Sequence, residues 1–471
     1  MAKEKAPGKG GGKGTAAKAG GGAKKDAEKS AGQKLAEKLF FSPKNCWTGI
    51  DKKTEKEIED FSRSYREFLD RGKTERECVD ASLALLEKRG FADMDSRGAK
   101  FLPGAKLYRN IRGKSLICAV LGKRPLSEGV NILGAHIDSP RIDLKQNPLY
   151  EDSDFVFLDT HYYGGIKKYQ WTAIPLAMHG IIIDGKGGRI NLRLGEDEGD
   201  PVFTITDLLP HLAREQMQKK AAEAVEGEDL DVLAGSRPYR DEAVKEKVKL
   251  QILSLLYEKY GVTEEDFARS EIEFVPAFRA RELGFDRSMI GAYGHDDRCC
   301  AFPALRALLA AAEGRAGGAG KAAATPGSGG APQKTAVCYL SDKEEIGSVG
   351  NTGAQSRSLE NFIAALCGDA SGTRRCLSNS AMLSTDVNAA YDPAYGAVFD
   401  RKNASFMGRG LVLTKYTGSG GKYGASDANA EFCSIVQAIM NRNGVSWQFG
   451  ELGKVDKGGG GTIAQYAANL G

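Results

Sequence analysis

Apolar positions along this chain change period, marking helices and strands in turn. Cys78, Ala81, Leu83, Leu85 and Leu86 form an apolar face that ends at Gly90, and Thr74 and Glu77 ahead of it have capping-box spacing. Thr54 and Glu57 repeat that spacing and predict an earlier helix start. Strand patterns follow at 106–110, 115–120 and 130–135, with Arg112-Gly113 as a tight turn between the first two. Apolar runs at 171–178 and 179–184 lead through Gly185-Lys186-Gly187-Gly188 into 189–194, which predicts a β-hairpin. Residues 213–260 are rich in Glu, Lys, Ala and Leu and read as helix with loops. A helix is expected at 299–313, strands at 335–340, 381–384 and 411–415, and helices again at 426–440 and within 462–471.

The order predicts an α/β core interrupted by a second unit. Residues 36–145 and 286–471 carry the core, and 146–285, with their hairpin and different texture, are expected to be a β-rich insertion. At 471 residues the chain is long enough for both. Composition changes the picture first at the N-terminus. Residues 1–34 hold nine Lys against three acidic residues, a local +6, leaving −2 for the remainder of a formal +4. Residues 1–35 therefore read as a disordered Lys/Gly/Ala tail, and no apolar stretch follows the lysines as a signal peptide would require. Nucleic-acid contact is not expected of the body. The Gly/Ala/Pro-rich 314–334 reads as a mobile surface insertion. No apolar run approaches the roughly 20 residues of a membrane span. Nine scattered cysteines without a Cys-x-x-Cys pair suit a reducing, cytoplasmic setting.

The candidate chemistry collects where predicted strands end. The strand at 335–340 runs into Glu344-Glu345-Ile346-Gly347, and residues leaving a strand alternate in direction. One carboxylate could hold a metal while the other faces a water, unless the pair is simply a charged strand end in solvent. His136 and Asp138 are two apart on an extended backbone and so share a face, which suits a metal-binding imidazole steadied by a carboxylate. Asp296 and Asp297 precede a helix, where an N-cap is the simpler explanation. Asp386 follows another strand, and His211 sits in an apolar stretch that is more typical of a packed histidine.

Taken together, Gly-Ala-His-Ile-Asp-Ser-Pro-Arg, Tyr-Gly-His-Asp-Asp-Arg, Asp-Lys-Glu-Glu-Ile-Gly-Ser and Ser-Thr-Asp-Val-Asn resemble the aspartyl aminopeptidase family of co-catalytic zinc peptidases over roughly residues 36 to 471. The resemblance implies a mixed-sheet zinc-peptidase core with an inserted dimerisation domain, two Zn²⁺ per subunit, peptide substrates, and a dodecamer built from dimers. It implies His136 and Asp386 on one zinc, Asp296 bridging, Glu345 on the second, Glu344 as general base and Asp138 orienting His136. It further implies Lys415 and Tyr423 in substrate binding, Lys415 being either the partner of an acidic first side chain or a surface lysine. His211 is the best counterpart of a histidine that reaches a neighbouring subunit's site.

Two departures set further expectations. Family members carry a metal-binding His in a Met-His-Ser segment near the C-terminus, and this chain has no His after Glu345. It is therefore expected to stop short of that segment, with an incomplete second zinc site. Asn388-Ala389-Ala390-Tyr391-Asp392-Pro393 lacks the histidines of eukaryotic relatives, which implies a broader, bacterial-type specificity. A catalytically impaired zinc-binding assembly subunit and a dinuclear zinc amidohydrolase for small acylated amines remain alternatives at this point.

Overall fold

In the computed structural model, residues 29–98, 100–314 and 331–471 are described. The expectations for the basic tail and the Gly/Ala-rich insertion fall largely outside them, at 1–28 and 315–330. Two compact units are separated at Lys44 and Asn45. The first contains the helix Ala31–Leu39, which starts inside the stretch expected to lack structure because Ser30 and Gln33 close a capping box.

In the second unit, one six-stranded sheet positions everything that follows. Its order is Ala92–Asp93, Lys106–Ile111, Ser115–Val120, Ala336–Ser341, Asn131–His136, Ala381–Ser384. The last three are mutually parallel, and the first of them is antiparallel to Ser115–Val120, so the sheet is mixed. Register sets Ser341 opposite His136 and Ser384 opposite Gly134, so two strands finish level and the third stops two residues short. The central strands are apolar on both faces, as a covered sheet requires. Leu116, Cys118, Ala135, Cys338 and Leu340 pack with Leu69, Val79, Phe302 and Leu308 from helices on one side. Ile117, Ala119, Ile132, Val337 and Tyr339 pack with Leu359, Phe362 and Ile363 on the other. A Cβ at Gly134 would lie 2.2 Å from Met382 Cε, so the end of that side chain would have to shift to admit one.

A second sheet of seven antiparallel strands is built from residues 141 to 276, beginning with Arg141–Asp152 and closing with Ser270–Pro276. Its hairpin, Leu176–Ile183 with Arg189–Leu194, lies where the glycine-rich turn predicts. Its own core includes Ile142, Val156, Leu176, Ile205, Val232, Val248 and Phe274. The helical reading of 213–260 holds only for Lys247–Tyr260; the earlier part forms short 3₁₀ turns and the strand Val232–Gly235. Residues 214–224 are almost wholly exposed, so helix-favouring composition had no apolar face to bury and a helix did not nucleate. The helix expected at Thr54 begins at Lys52, because the Asp51 carboxylate takes the Thr54 N–H at 2.8 Å. The Thr74–Glu77 capping box is present.

Candidate metal centre

Parallel strands that finish within two residues of one another leave their following residues in one crevice, the usual ligand position of an α/β sheet. His136 closes its strand, Glu344 and Glu345 form a 3₁₀ turn just after Ser341, and Asp386 follows Ser384 by two residues. The turn needs unusual backbone: Lys343 has φ 66° and Gly347 φ 89°, the latter a conformation that favours glycine. Asp296 and Asp297 come from the start of His295–Ala312, where Gly294 is the N-cap and no side chain caps the helix. Capping therefore does not account for either carboxylate.

His136 is the meeting point. Its Nε2 lies 3.2 Å from Asp296 Oδ1, 3.9 Å from Glu344 Oε2 and 3.9 Å from Asp386 Oδ1. On its other side, Nδ1 lies 3.1 Å from the Asp138 carbonyl oxygen and 3.4 Å from Asp138 Oδ1. That arrangement turns Nε2 toward the acidic cluster and suits a metal ligand. Asp138 is fully buried and does more than orient the imidazole. Its Oδ1 accepts the Glu344 backbone N–H at 3.1 Å, and Oδ2 accepts the Glu345 backbone N–H at 3.2 Å and the Tyr163 hydroxyl at 2.8 Å.

Charge in the cluster is out of balance. Burial, then the charge of Asp296, pushes the Glu345 carboxyl up to about 8. Burial pushes Asp386 up to about 7 and also raises Glu344. Burial works against a charge on His136, but hydrogen bonds to Asp138 and Asp296 outweigh it and hold the imidazole well above its ordinary value. Burial opposes ionisation of Asp138 too, yet bonds from His136 and Tyr163 keep its carboxyl below the ordinary range. Glu345 Oε1 and both Asp297 carboxylate oxygens are buried without a hydrogen-bond partner. Orphaned oxygens beside an imidazole and several acids fit a bound cation, which would satisfy them and draw off the protons.

Two sets of donors have their atoms within 4.8 Å of one another around this point: His136 with Asp296 and Glu345, and His136 with Asp297 and Asp386. Asp296 was expected to be shared between ions; here it groups with Glu345, while Asp297 stands beside Asp386. Cys299 and Cys300 adjoin Asp297 in a further group. Lys415 lines the same groove of about 1860 Å³ as Asp296, Glu344 and Asp386. Tyr423 is not in that lining and is 83% exposed. His211 is an exposed loop residue between strands of the second sheet and belongs to none of the donor groups found among the described residues. Asp297, beside Asp296 in an Asp-Asp pair, and Tyr163, for which local spacing carries no signal, also stand at this site without having been singled out as ligands in the sequence.

The sequence profile described as "Aminopeptidase I zinc metalloprotease (M18)" matches residues 68–471. The chain is 48% identical to a probable M18 family aminopeptidase 1 of Clostridium acetobutylicum, over 92% of this chain and 91% of that protein. It is similar to the crystal structure of an M18 aminopeptidase from Thermotoga maritima, with TM-score 0.84 and 43% identity over 92% of this chain and 91% of the other. The crystal structure of aminopeptidase I from Clostridium acetobutylicum aligns with TM-score 0.82 and 46% identity over 92% of each chain. This chain belongs to the aminopeptidase I (M18) family of zinc metalloproteases.

Proposed function

We propose that the chain removes N-terminal amino acids, acidic ones included, from peptides at a two-zinc centre held by His136, Asp296, Glu345 and Asp386, with the second zinc, on Glu345, lacking an imidazole and held the more weakly. The observation that supports it most is the convergence of an imidazole and acids from three strand ends and one helix start on a single point. Zinc bound there supplies Lewis-acid polarisation of the scissile carbonyl and lowers the pKa of an attacking water toward roughly 7.

The chain's residues do the remainder. Glu344 takes the proton from the attacking water and passes it to the departing amine. Its burial raises its proton affinity above that of an ordinary glutamate, which suits a base working near neutral pH. Asp138 orients His136 and, through two backbone N–H groups, aims the glutamate pair. Lys415, on the groove wall, meets the carboxylate of an acidic first residue, and Tyr423, exposed on the glycine-rich loop beside the groove, contributes to substrate binding. Aminoacyl-p-nitroanilides should be cleaved in the presence of zinc and N-acetyl amino acids should not; the reverse preference would contradict the reading.

Assembly belongs to the same proposal. The seven-stranded sheet serves as a dimerisation domain, with His211 reaching a neighbour's site and dimers building a dodecamer. A yeast protein of the same fold, 21% identical, is described as a dodecamer. Light scattering should find large particles; only 50.5 kDa species, the mass of one chain, would contradict assembly. None of the nine cysteines forms a disulfide and, among the described residues, no helix is long and apolar enough to cross a membrane. The unpaired thiols support a cytoplasmic location.

A further inference from the structure

Contacts behind Asp138 lead away from the metal centre into the second sheet. Arg141 begins the sheet's first strand, three residues after Asp138, and is the direct cross-strand partner of Tyr163. Its guanidinium carbon lies 3.8 Å from the centre of the Tyr163 ring. Its Nε donates to Asp143 Oδ1 at 2.7 Å, and two further carboxylates stand close without a hydrogen bond, Glu75 Oε2 at 3.3 Å from Nη1 and Glu273 Oε2 at 3.2 Å from Nε. Glu75 belongs to the core helix Glu75–Glu87, whereas Asp143 and Glu273 are paired neighbours on adjacent strands of the second sheet. Arg141, Glu75, Glu273 and Tyr163 are all buried.

A planar cation stacked on a ring, hydrogen-bonded to one carboxylate and flanked by two more, restricts where that ring lies. The ring's hydroxyl then has one target, Asp138 Oδ2, the oxygen that also accepts the Glu345 N–H. We propose that Tyr163, braced by Arg141, is a positioning residue of the metal centre, its hydroxyl fixing the Asp138 carboxylate that sets both the His136 imidazole and the turn carrying Glu344 and Glu345. The second sheet thereby shapes the site of its own chain, apart from any part in assembly.

The inference rests on His136 being a zinc ligand, and that reading has its own check: His136→Ala should abolish tight zinc binding. Given that, Tyr163→Phe should weaken zinc affinity of the metal-free chain by about 10–100-fold, the range for loss of an outer-shell partner. With saturating zinc it should lower kcat while leaving KM within twofold. Thr160→Val removes a buried hydroxyl from the same strand, one bonded to the Leu230 carbonyl, and should leave zinc affinity unchanged. In an Asp138→Asn background the Tyr163→Phe effect should shrink, because the two act on one contact. If Tyr163→Phe does not fold, Arg141→Lys, which keeps the charge but not the flat stack, should give a smaller loss of zinc affinity. Zinc affinity within twofold of wild type, an equal loss for Thr160→Val, or full additivity with Asp138→Asn would overturn the proposal.

Discussion

Replacing Glu344 by Gln separates the proton-transfer role from metal binding. The substitution keeps side-chain volume and leaves the backbone N–H that Asp138 anchors at 3.1 Å, so the turn and Glu345 should stay in place. Glu344 belongs to neither donor group around His136, so zinc content should be retained. Loss of a general base costs roughly 10²–10⁴-fold in rate. At 1.36 kcal/mol per tenfold, that is about 2.7–5.4 kcal/mol of barrier. The loss should fall on kcat, with KM little changed, because proton transfer is made only in the transition state. Glu345→Gln is the contrast: its orphaned Oε1 stands among the donors, so that variant should lose metal. Elemental analysis of both purified variants, with p-nitroanilide kinetics at saturating zinc, reads the two effects apart. A Glu344→Gln protein within tenfold of wild-type kcat would refute the role given to this carboxylate.

Zinc binding to the metal-free chain at pH 7 should release protons, because Glu345 and Asp386 titrate near 8 and 7 and His136 is held charged. Calorimetry in buffers of different ionisation enthalpy should show this release; equal heats would contradict it. These groups have folded pKa values raised above their unfolded ones. The stability they lend the metal-free form is therefore complete below the unfolded values and lost as pH rises through about 7 to 8. Its Tm should accordingly fall between pH 6 and 9, and zinc should remove most of that slope. In the core, Phe302→Ala should cost about 3–5 kcal/mol in chemical denaturation, since Phe302 is buried and packs on Phe61, Tyr65 and Phe68.

His136, the glutamate pair and Asp386 were legible in the sequence because each follows a short apolar run. A strand end is a local feature, and so is the chemistry it delivers. Tyr163 was not legible: it reaches Asp138 through cross-strand pairing with Arg141, and register is written in no local spacing. Asp297 was masked by its neighbour, since an Asp-Asp pair does not say which carboxylate is buried. The same limit applies to the fold. The continuous apolar runs 115–120 and 335–340 announced a covered sheet, whereas 213–246 carried helical composition without an apolar face and followed its surroundings instead.

Zinc should sit where the three parallel strands of the six-stranded sheet end. Anomalous diffraction at the zinc edge from crystals of the zinc-loaded protein tests it most directly. Two peaks about 3.5–4 Å apart should appear, contacted by His136, Asp296, Glu345 and Asp386. Zinc located elsewhere, or no peak within bonding distance of His136 Nε2, would contradict it.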